Sequence, residues 1–236
     1  MDVMRKIRDT HIARVGDAYT DEHGVTKFVR EQDGLRIYRE PVPDHNYVAG
    51  VDVAEGVSGG DYSVVSIWDR TTGEEVAFWR GHAAPDKFAE QLNKWGRLYN
   101  KALMVVEVNN HGLTTLTVLK QLMYPQLYFR PAKFDVISTQ WSERLGWKTT
   151  KVTRPLLIDD LNQGIRDGAL FPRSEEFYEE TITFVYDDGN NMVPQRGYHD
   201  DCIFAAAIAN QGFKVLYKGS LEQVNYNDHL PLSGGY

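Results

Sequence analysis

The run ALMVVEV, residues 102–108, places six apolar side chains around a single acid without any polar alternation. A strand of this kind has both faces covered, which is typical of the parallel part of a sheet that lies between layers of helices. The following segment, HGLTTLTVLKQLMY, has the length and apolar spacing of a helix. We therefore predict an α/β domain.

The segments around this strand predict a mixed sheet. Upstream, we expect strands over YVAGVDVA and DYSVVSIWD, a hairpin turn at TTGEE, a third strand over EVAFWRG, and a helix that starts at Pro85. Downstream, we expect a helix over RPLLIDDLNQGIRDG, a hairpin within ETITFVYDDGNNMVPQRG and a helix over HDDCIFAAAIANQGF. This order resembles the ribonuclease H-like (resolvase/integrase-type) fold, and it predicts a mixed sheet of about five or more strands flanked by helices.

The ends of the chain differ in character from the middle. Residues 1–45 are mixed and polar and finish in REPVPDHN, so we expect a linker or a remnant of a preceding domain. The domain itself is expected over residues 46–218. Residues 219–236 show no periodicity and are expected to form a flexible tail.

Composition excludes several classes of site. A single cysteine, Cys202, excludes an internal disulfide and a zinc site built from cysteines. No run approaches the roughly 18 apolar residues of a membrane helix. The net charge is −7, but residues 127–173 hold eight Lys or Arg against five Asp or Glu. That local excess is consistent with contacts to phosphate, and equally with a solvated surface.

Acidic side chains stand where several predicted elements begin or end. Asp52 lies in the first strand ahead of a glycine-rich loop, Glu107 lies near the end of the buried strand, and Asp200 and Asp201 start the last helix. Glu107 has an ordinary alternative explanation as a solvent-facing strand end, and Asp200 and Asp201 have one as helix caps. In a sheet of this order, however, the three places meet at one edge. We therefore predict a functional site there.

Several converging carboxylates repel one another and shift one another's pKa values unless a cation lies between them. Oxygen ligands without a Cys or His cluster favour Mg²⁺ or Mn²⁺ over zinc. Two such ions, about 3.5–4 Å apart, can activate a water and stabilise the leaving oxygen of a phosphodiester. The acids therefore predict nuclease chemistry with two divalent ions.

The segments GVDVAEGVSGGDYSVVSIWD, LMVVEVNNHG, RPLLIDDLNQGIRDG and TFVYDDGNNMVPQRGYHDD, followed by the apolar helix CIFAAAIA, resemble the nuclease domain of large terminase subunits. These subunits are the DNA-packaging motors of tailed bacteriophages. The resemblance runs from about Tyr47 to Leu216, and its most specific part is G-x-H-D-D before an apolar helix.

The resemblance implies a metal-dependent endonuclease that cuts double-stranded, concatemeric viral DNA when packaging begins and ends, with little sequence specificity. It implies that Asp52 bridges two metal ions, that Glu107 holds one, and that Asp200 and Asp201 complete the site. Asp61 matches a further acid that some members carry after the first strand.

The resemblance also implies partners that this chain does not contain. Complete large terminases carry an ATPase domain, and no segment here fits G-x-x-x-x-G-K-[ST], so we expect no ATP hydrolysis from this chain. We expect it to act with a terminase ATPase domain, a small terminase subunit and a portal in the cytoplasm of the infected bacterial host. No membrane partner is expected.

Histidine and basic residues near the acids complete the candidate site. His199 could position a water or polarise a phosphate, or bond the backbone at a helix start. We expect contacts with the DNA backbone from Lys148, Lys151, Arg154 and Arg130, with a solvated basic loop as the alternative.

Three other functions stay open at the level of the sequence. One is another ribonuclease H-like nuclease, such as a Holliday-junction resolvase or a transposase. A second is an actin-like ATPase with its phosphate loop at Gly56–Gly60, although this chain lacks the second, duplicated domain that such a protein needs. The third is a non-enzymatic packaging scaffold whose acids only cap and solvate.

Overall fold

The computed structural model describes residues 14–215 apart from 22, 24–25, 31–33, 58, 131–144, 188 and 190–191. The strands are β1 (Arg14–Thr20), β2 (Thr26–Arg30), β3 (Leu35–Ile37), β4 (Tyr47–Asp52), β5 (Ser63–Asp69), β6 (Glu75–Gly81), β7 (Leu103–Val106), β8 (Phe184–Tyr186) and β9 (Met192–Pro194). The helices are α1 (Pro85–Leu98), α2 (Asn110–Gln121), α3 (Thr153–Arg166), α4 (Glu175–Thr183) and α5 (Asp201–Phe213).

Seven strands form one mixed sheet in the order β2-β1-β3-β6-β5-β4-β7. Strands β4, β5 and β6 are consecutive and antiparallel, as predicted, and the pairing of β5 with β6 shifts register between Ile67 and Trp68. Strand β7 runs parallel to β4, with Val51 paired to Val106. The predicted hairpin β8–β9 forms a separate two-stranded sheet, although α4 continues to Thr183 where the sequence predicted strand.

Helices cover both faces of the sheet. Alternate residues of β4, Tyr47, Ala49 and Val51, pack in one core with side chains of α1 and α2. Val48, which points the other way, packs in a second core with side chains of α3, α4 and α5. The alternation along β4 therefore directs Asp52 to the α5 face.

The expectation of a linker over residues 1–45 is wrong for β1, β2 and β3, which belong to the main sheet. Strand β3 pairs with β6 through Arg36 and Ile37. The Trp95 indole donates to Asp17 Oδ1 at 2.8 Å and so ties β1 to α1. Residues 1–13 and the predicted tail at 219–236 lie outside the described residues.

Across the described ranges, no helix combines the length and the apolar character that crossing a membrane requires.

Helix α5 lies directly on the backbone of β4 because small residues face each other. A Cβ atom on Gly50 would lie 1.9 Å from the carbonyl oxygen of Ala205, and one on Gly212 would lie 2.3 Å from Val48 Cγ2. Real Cβ atoms do not approach so closely. The two glycines therefore set the distance between the helix and the strand.

Because Ala205 presents a backbone atom that cannot rotate away, Gly50→Ala is expected to lower the free energy of unfolding by about 1–3 kcal/mol or more. The measurement is urea denaturation followed by circular dichroism. Gly60→Ala is the matched control, since its Cβ would meet a methyl of Val57 at 3.0 Å and the Val57 carbonyl oxygen at 3.4 Å, with no atom as close as Ala205 is to Gly50. Equal stability of the Gly50→Ala variant and the wild type would contradict this packing.

Candidate active site

Asp52 and Glu107 lie side by side at the carboxyl ends of two parallel strands. Asp52 ends β4, Glu107 follows β7, and the Glu107 amide donates to the Val51 carbonyl at 2.9 Å. Burial, followed by the charges of Glu107 and Asp201, raises the pKa of Asp52 well above its usual value. The nearby Glu107 carboxyl thus disfavours the charged form of Asp52. The predicted convergence of these two acids is present.

Asn109 supports Glu107 from the loop that leads into α2. Its Nδ2 donates to the Val53 carbonyl at 2.9 Å and to Glu107 Oε2 at 3.3 Å, while its Oδ1 accepts from the Gly112 amide at 2.7 Å. The Asn109 side chain thus caps α2 and also holds the Glu107 carboxylate near the ends of β4 and β7. We did not predict this residue, although an Asn just before a helix is a recognisable cap signal.

The two aspartates at the start of α5 are not its caps. Asp200 occupies the N-cap position, but its side chain makes no capping hydrogen bond. Instead Glu180 Oε2, from α4, accepts from the amides of Cys202 at 2.8 Å and Ile203 at 3.1 Å. The helix-cap explanation considered for Asp200 therefore fails, and both aspartates are available for other contacts.

Asp201 points toward the loop between β4 and β5. Its Oδ2 accepts from the Tyr62 amide at 3.2 Å, which favours the charged form and partly opposes the effect of burial. Burial, with additional contributions from Glu180 and Asp61, nevertheless raises the pKa of Asp201 to about 6. A carboxyl group with this pKa changes its protonation state near pH 6.

His199 joins two of the predicted acids. Its Nδ1 lies 3.3 Å from Asp61 Oδ1 and 3.8 Å from Asp201 Oδ2. Asp61 is the more exposed of the two acids, at 76% of its side chain against 14% for Asp201. The structure therefore brings the supporting residues Asp61 and His199 to the same end of α5, with His199 between solvent and the buried acid.

Tyr62 forms an aromatic cluster beside these groups. Its ring stacks on His82 at 4.5 Å between centroids, meets His199 edge-on at 5.5 Å, and lies 3.9 Å from the Arg80 guanidinium carbon. Arg80 lies near the end of β6 and His82 follows the strand directly. Because alternate residues of a strand face the same side, both side chains lie on one face of the sheet. These residues were not predicted, because the sequence does not show which strand end faces the acids.

Arg154 reaches the acids from the first turn of α3. Its Nη2 forms an ion pair with Asp200 Oδ2, and its guanidinium carbon lies 4.2 Å from the centre of the Phe204 ring. A residue predicted to contact DNA therefore lies at the acidic cluster, where it also neutralises one of the four acids.

The predicted lysines follow a segment that runs beside Glu107. The Trp147 amide donates to the Val106 carbonyl at 2.7 Å, and the Trp147 carbonyl accepts from the Val108 amide at 2.5 Å. Lys148 and Lys151, which come next along the chain, are exposed. Their ammonium groups are free to meet an anionic ligand that approaches the acids from this side.

Arg130 does not fit the predicted role in DNA binding. Only 6% of the residue is exposed, and its Nη1 donates to the carbonyls of Leu145 at 3.0 Å and Gly146 at 2.9 Å. The guanidinium is therefore used to hold the two strand-like segments around residues 129 and 145 together. Arg130 therefore stabilises the fold in this region, although it lies in a basic segment of the sequence.

The donor set at this site fits a hard divalent cation in its chemistry. Asp52, Glu107, Asp200 and Asp201 offer only carboxylate oxygens, which Mg²⁺ and Mn²⁺ prefer. Within the part of the chain that the structure describes, no three His, Cys, Asp or Glu side chains form a ready-made metal-binding group. Asp200 is turned to Arg154 and Asp201 to the Tyr62 amide, so side-chain rotation would have to complete a ligand shell.

Comparison with known proteins identifies the fold. No protein-family model matches the chain. The large terminase nuclease of thermophilic phage G20c, in a crystal structure with bound magnesium, is similar with a TM-score of 0.59 and 19% sequence identity. The similarity covers 78% of this chain and 89% of that one. A structure of the same nuclease with bound cobalt gives a TM-score of 0.55 at 20% identity, over 78% and 89% of the two chains.

A second phage protein gives the same result. The large terminase nuclease domain of Thermus phage P74-26 is similar with a TM-score of 0.53 and 22% identity, over 77% of this chain and 86% of that one. The α/β mixed sheet and its ribonuclease H-like topology are thereby confirmed. The resemblance found in the sequence is confirmed at the level of the fold: this chain has the fold of phage large terminase nuclease domains.

Proposed function

We propose that this chain is a metal-dependent DNA endonuclease that cuts concatemeric viral DNA at the initiation and termination of genome packaging. The observation that carries the proposal is the meeting of Asp52 and Glu107 at adjacent strand ends with the acidic start of α5. The similar fold of terminase nucleases, one of which has been crystallised with bound magnesium, cobalt and zinc, supports it.

The acids would hold two Mg²⁺ or Mn²⁺ ions. Asp52 and Glu107, together with Asp200 and Asp201, would hold them. The bound ions would supply activation of a water and stabilisation of the leaving oxygen of a phosphodiester. Without a cation these acids repel one another, so a bound cation would be stabilised by relief of that repulsion.

The other site residues would handle protons and phosphates. His199, beside Asp61 and Asp201, is placed to hold or release a proton at Nδ1. Lys148 and Lys151 would grip the backbone phosphates, and Arg154 would join them if it left Asp200. Because these cations contact phosphate and no base-reading motif is present, cutting would depend little on sequence.

In the packaging machine the chain would act with a terminase ATPase domain, a small terminase subunit and a portal, in the cytoplasm of the infected bacterial host. The sequence has no G-x-x-x-x-G-K-[ST] segment, so ATP hydrolysis would belong to the ATPase domain.

Plasmid nicking tests the activity. Wild-type protein with Mn²⁺ is expected to nick supercoiled plasmid, and a chelator should abolish the reaction. Asp52→Asn keeps the side-chain shape but removes the bridging charge, so nicking should fall by more than about 100-fold, beyond the loss typical of outer-shell partners. Glu90→Gln is the matched control, since Glu90 pairs with Lys87 on α1, in the opposite helix layer.

Equal nicking by the Asp52→Asn variant and the wild type would contradict the assignment of the site. A strong preference for a four-way junction over linear duplex would instead favour a resolvase.

The raised pKa values predict how stability depends on pH when divalent ions are removed. Because the pKa of Asp201 in the folded protein is about 6, above its ordinary value, folding favours the protonated form. The stabilising contribution is complete in acid and is lost as pH rises through about 6, and Asp52 acts in the same direction. In a chelator, the wild type should therefore lose stability relative to Asp201→Asn as pH rises toward and through about 6.

The measurement is the unfolding temperature of both proteins from about pH 4 to pH 8, with chelator and with Mn²⁺, because the contribution of Asp201 changes between its ordinary pKa of 3.8 and its folded-state pKa of about 6. Mn²⁺ should restore wild-type stability at the upper end of the range and raise that of Asp201→Asn less. Parallel pH profiles of the two proteins in chelator would contradict the raised pKa of Asp201.

A further inference from the structure

We propose that Glu180 is a positioning residue, which fixes the start of α5 and thereby the placement of Asp200 and Asp201 opposite Asp52. The proposal rests on the proposed metal-dependent function. It assigns a role to a residue that neither the acidic pattern nor the basic segment of the sequence singles out.

The contacts of Glu180 are unusual for a helix N-terminus. The first amides of a helix need acceptors, and the usual supplier is the side chain of the N-cap residue itself. Here a carboxylate from a different helix, α4, takes the amides of Cys202 and Ile203. Glu180 is only 5% exposed, so these two hydrogen bonds are made away from solvent.

This arrangement separates capping from metal binding. An aspartate that capped α5 would spend its carboxylate oxygens on backbone amides and would be turned away from Asp52. Because Glu180 caps in their place, Asp200 is free to pair with Arg154 and Asp201 is free to accept from Tyr62. Both aspartates thus keep their oxygens in the site.

The position of Glu180 is itself set by strong local constraints. It lies in the last turn of α4, which packs against α5 through the core shared by Phe177 and Cys202. Where α4 ends, the Gln195 amide donates to the Thr183 carbonyl at 2.9 Å and closes the base of the β8–β9 hairpin. Because α4 is held in place by this packing and this hydrogen bond, the Glu180 carboxylate can fix the position of the backbone at the start of α5.

Three variants separate positioning from simple stabilisation. Glu180→Ala removes the acceptor, and Glu180→Gln keeps a carbonyl oxygen that can accept from both amides. Leu92→Ala is the destabilised control, since Leu92 is fully buried on α1 and packs in the core on the opposite face of the sheet.

Two readouts report the start of α5 without metal. One is hydrogen exchange of the Cys202 and Ile203 amides. The other is the rate at which a disulfide reagent modifies Cys202, the single cysteine of the chain, which is 1% exposed. Glu180→Ala should speed both selectively, Glu180→Gln should stay close to the wild type, and Leu92→Ala should show no selective effect at these two residues.

Two further readouts report metal: the rise in unfolding temperature caused by Mn²⁺, and the Mn²⁺ concentration that gives half-maximal nicking. Glu180→Ala should need about 10-fold more Mn²⁺, as expected for loss of a residue that orients ligands. Glu180→Gln should recover most of the affinity, and Leu92→Ala should keep the wild-type value at a temperature where it is folded.

A Glu180→Ala protein with wild-type Mn²⁺ dependence would overturn the positioning role alone, and so would an equal loss of affinity in Leu92→Ala. A wild-type protein whose unfolding temperature and nicking do not respond to Mn²⁺ would contradict the proposed function, and the positioning role with it.

Discussion

The contact between α5 and the backbone of β4 is the constraint on which the candidate site depends. Gly50 has no side chain to keep the helix at a distance, and the alanines of α5 have small side chains that allow a close approach to the sheet. A larger residue at Gly50 would move the start of α5 away from the strand end that carries Asp52. The acids meet because two elements pack more closely than ordinary side chains allow.

Two kinds of buried acid lie in this fold, and their partners distinguish them. Glu75 accepts from the Ser66 hydroxyl at 2.6 Å and from the amides of Arg173 and Ser174 at 2.6 and 2.7 Å, so donors on β5 and just before α4 satisfy its oxygens. Burial raises the pKa of Glu75, but these hydrogen bonds oppose the effect. For Asp52, burial and neighbouring acids all raise the pKa. An acid surrounded by acids is explained by a cation rather than by architecture.

The sequence predicted the features that follow from local pattern, and it missed those that depend on distant contacts. Asp52 and Glu107 were found because an acid in an apolar strand is conspicuous and parallel strands end at one edge. Strands β1–β3 were missed because their local pattern is weak and they join the sheet only through the pairing of β3 with β6. Arg130 was misjudged because a charge count does not show that its donors point to carbonyls. Glu180 has no local signal at all, since its partners lie about twenty residues away.

The central claim is that the four acids hold divalent metal, and anomalous diffraction from crystals soaked in Mn²⁺ tests it most directly. Two ions should give anomalous peaks between Asp52, Glu107 and the start of α5, both within bonding distance of an Asp52 oxygen. It also predicts that Asp200 or Asp201 rotates from its present partner toward an ion. Crystals that bind Mn²⁺ elsewhere, with no peak within bonding distance of Asp52, would contradict the account.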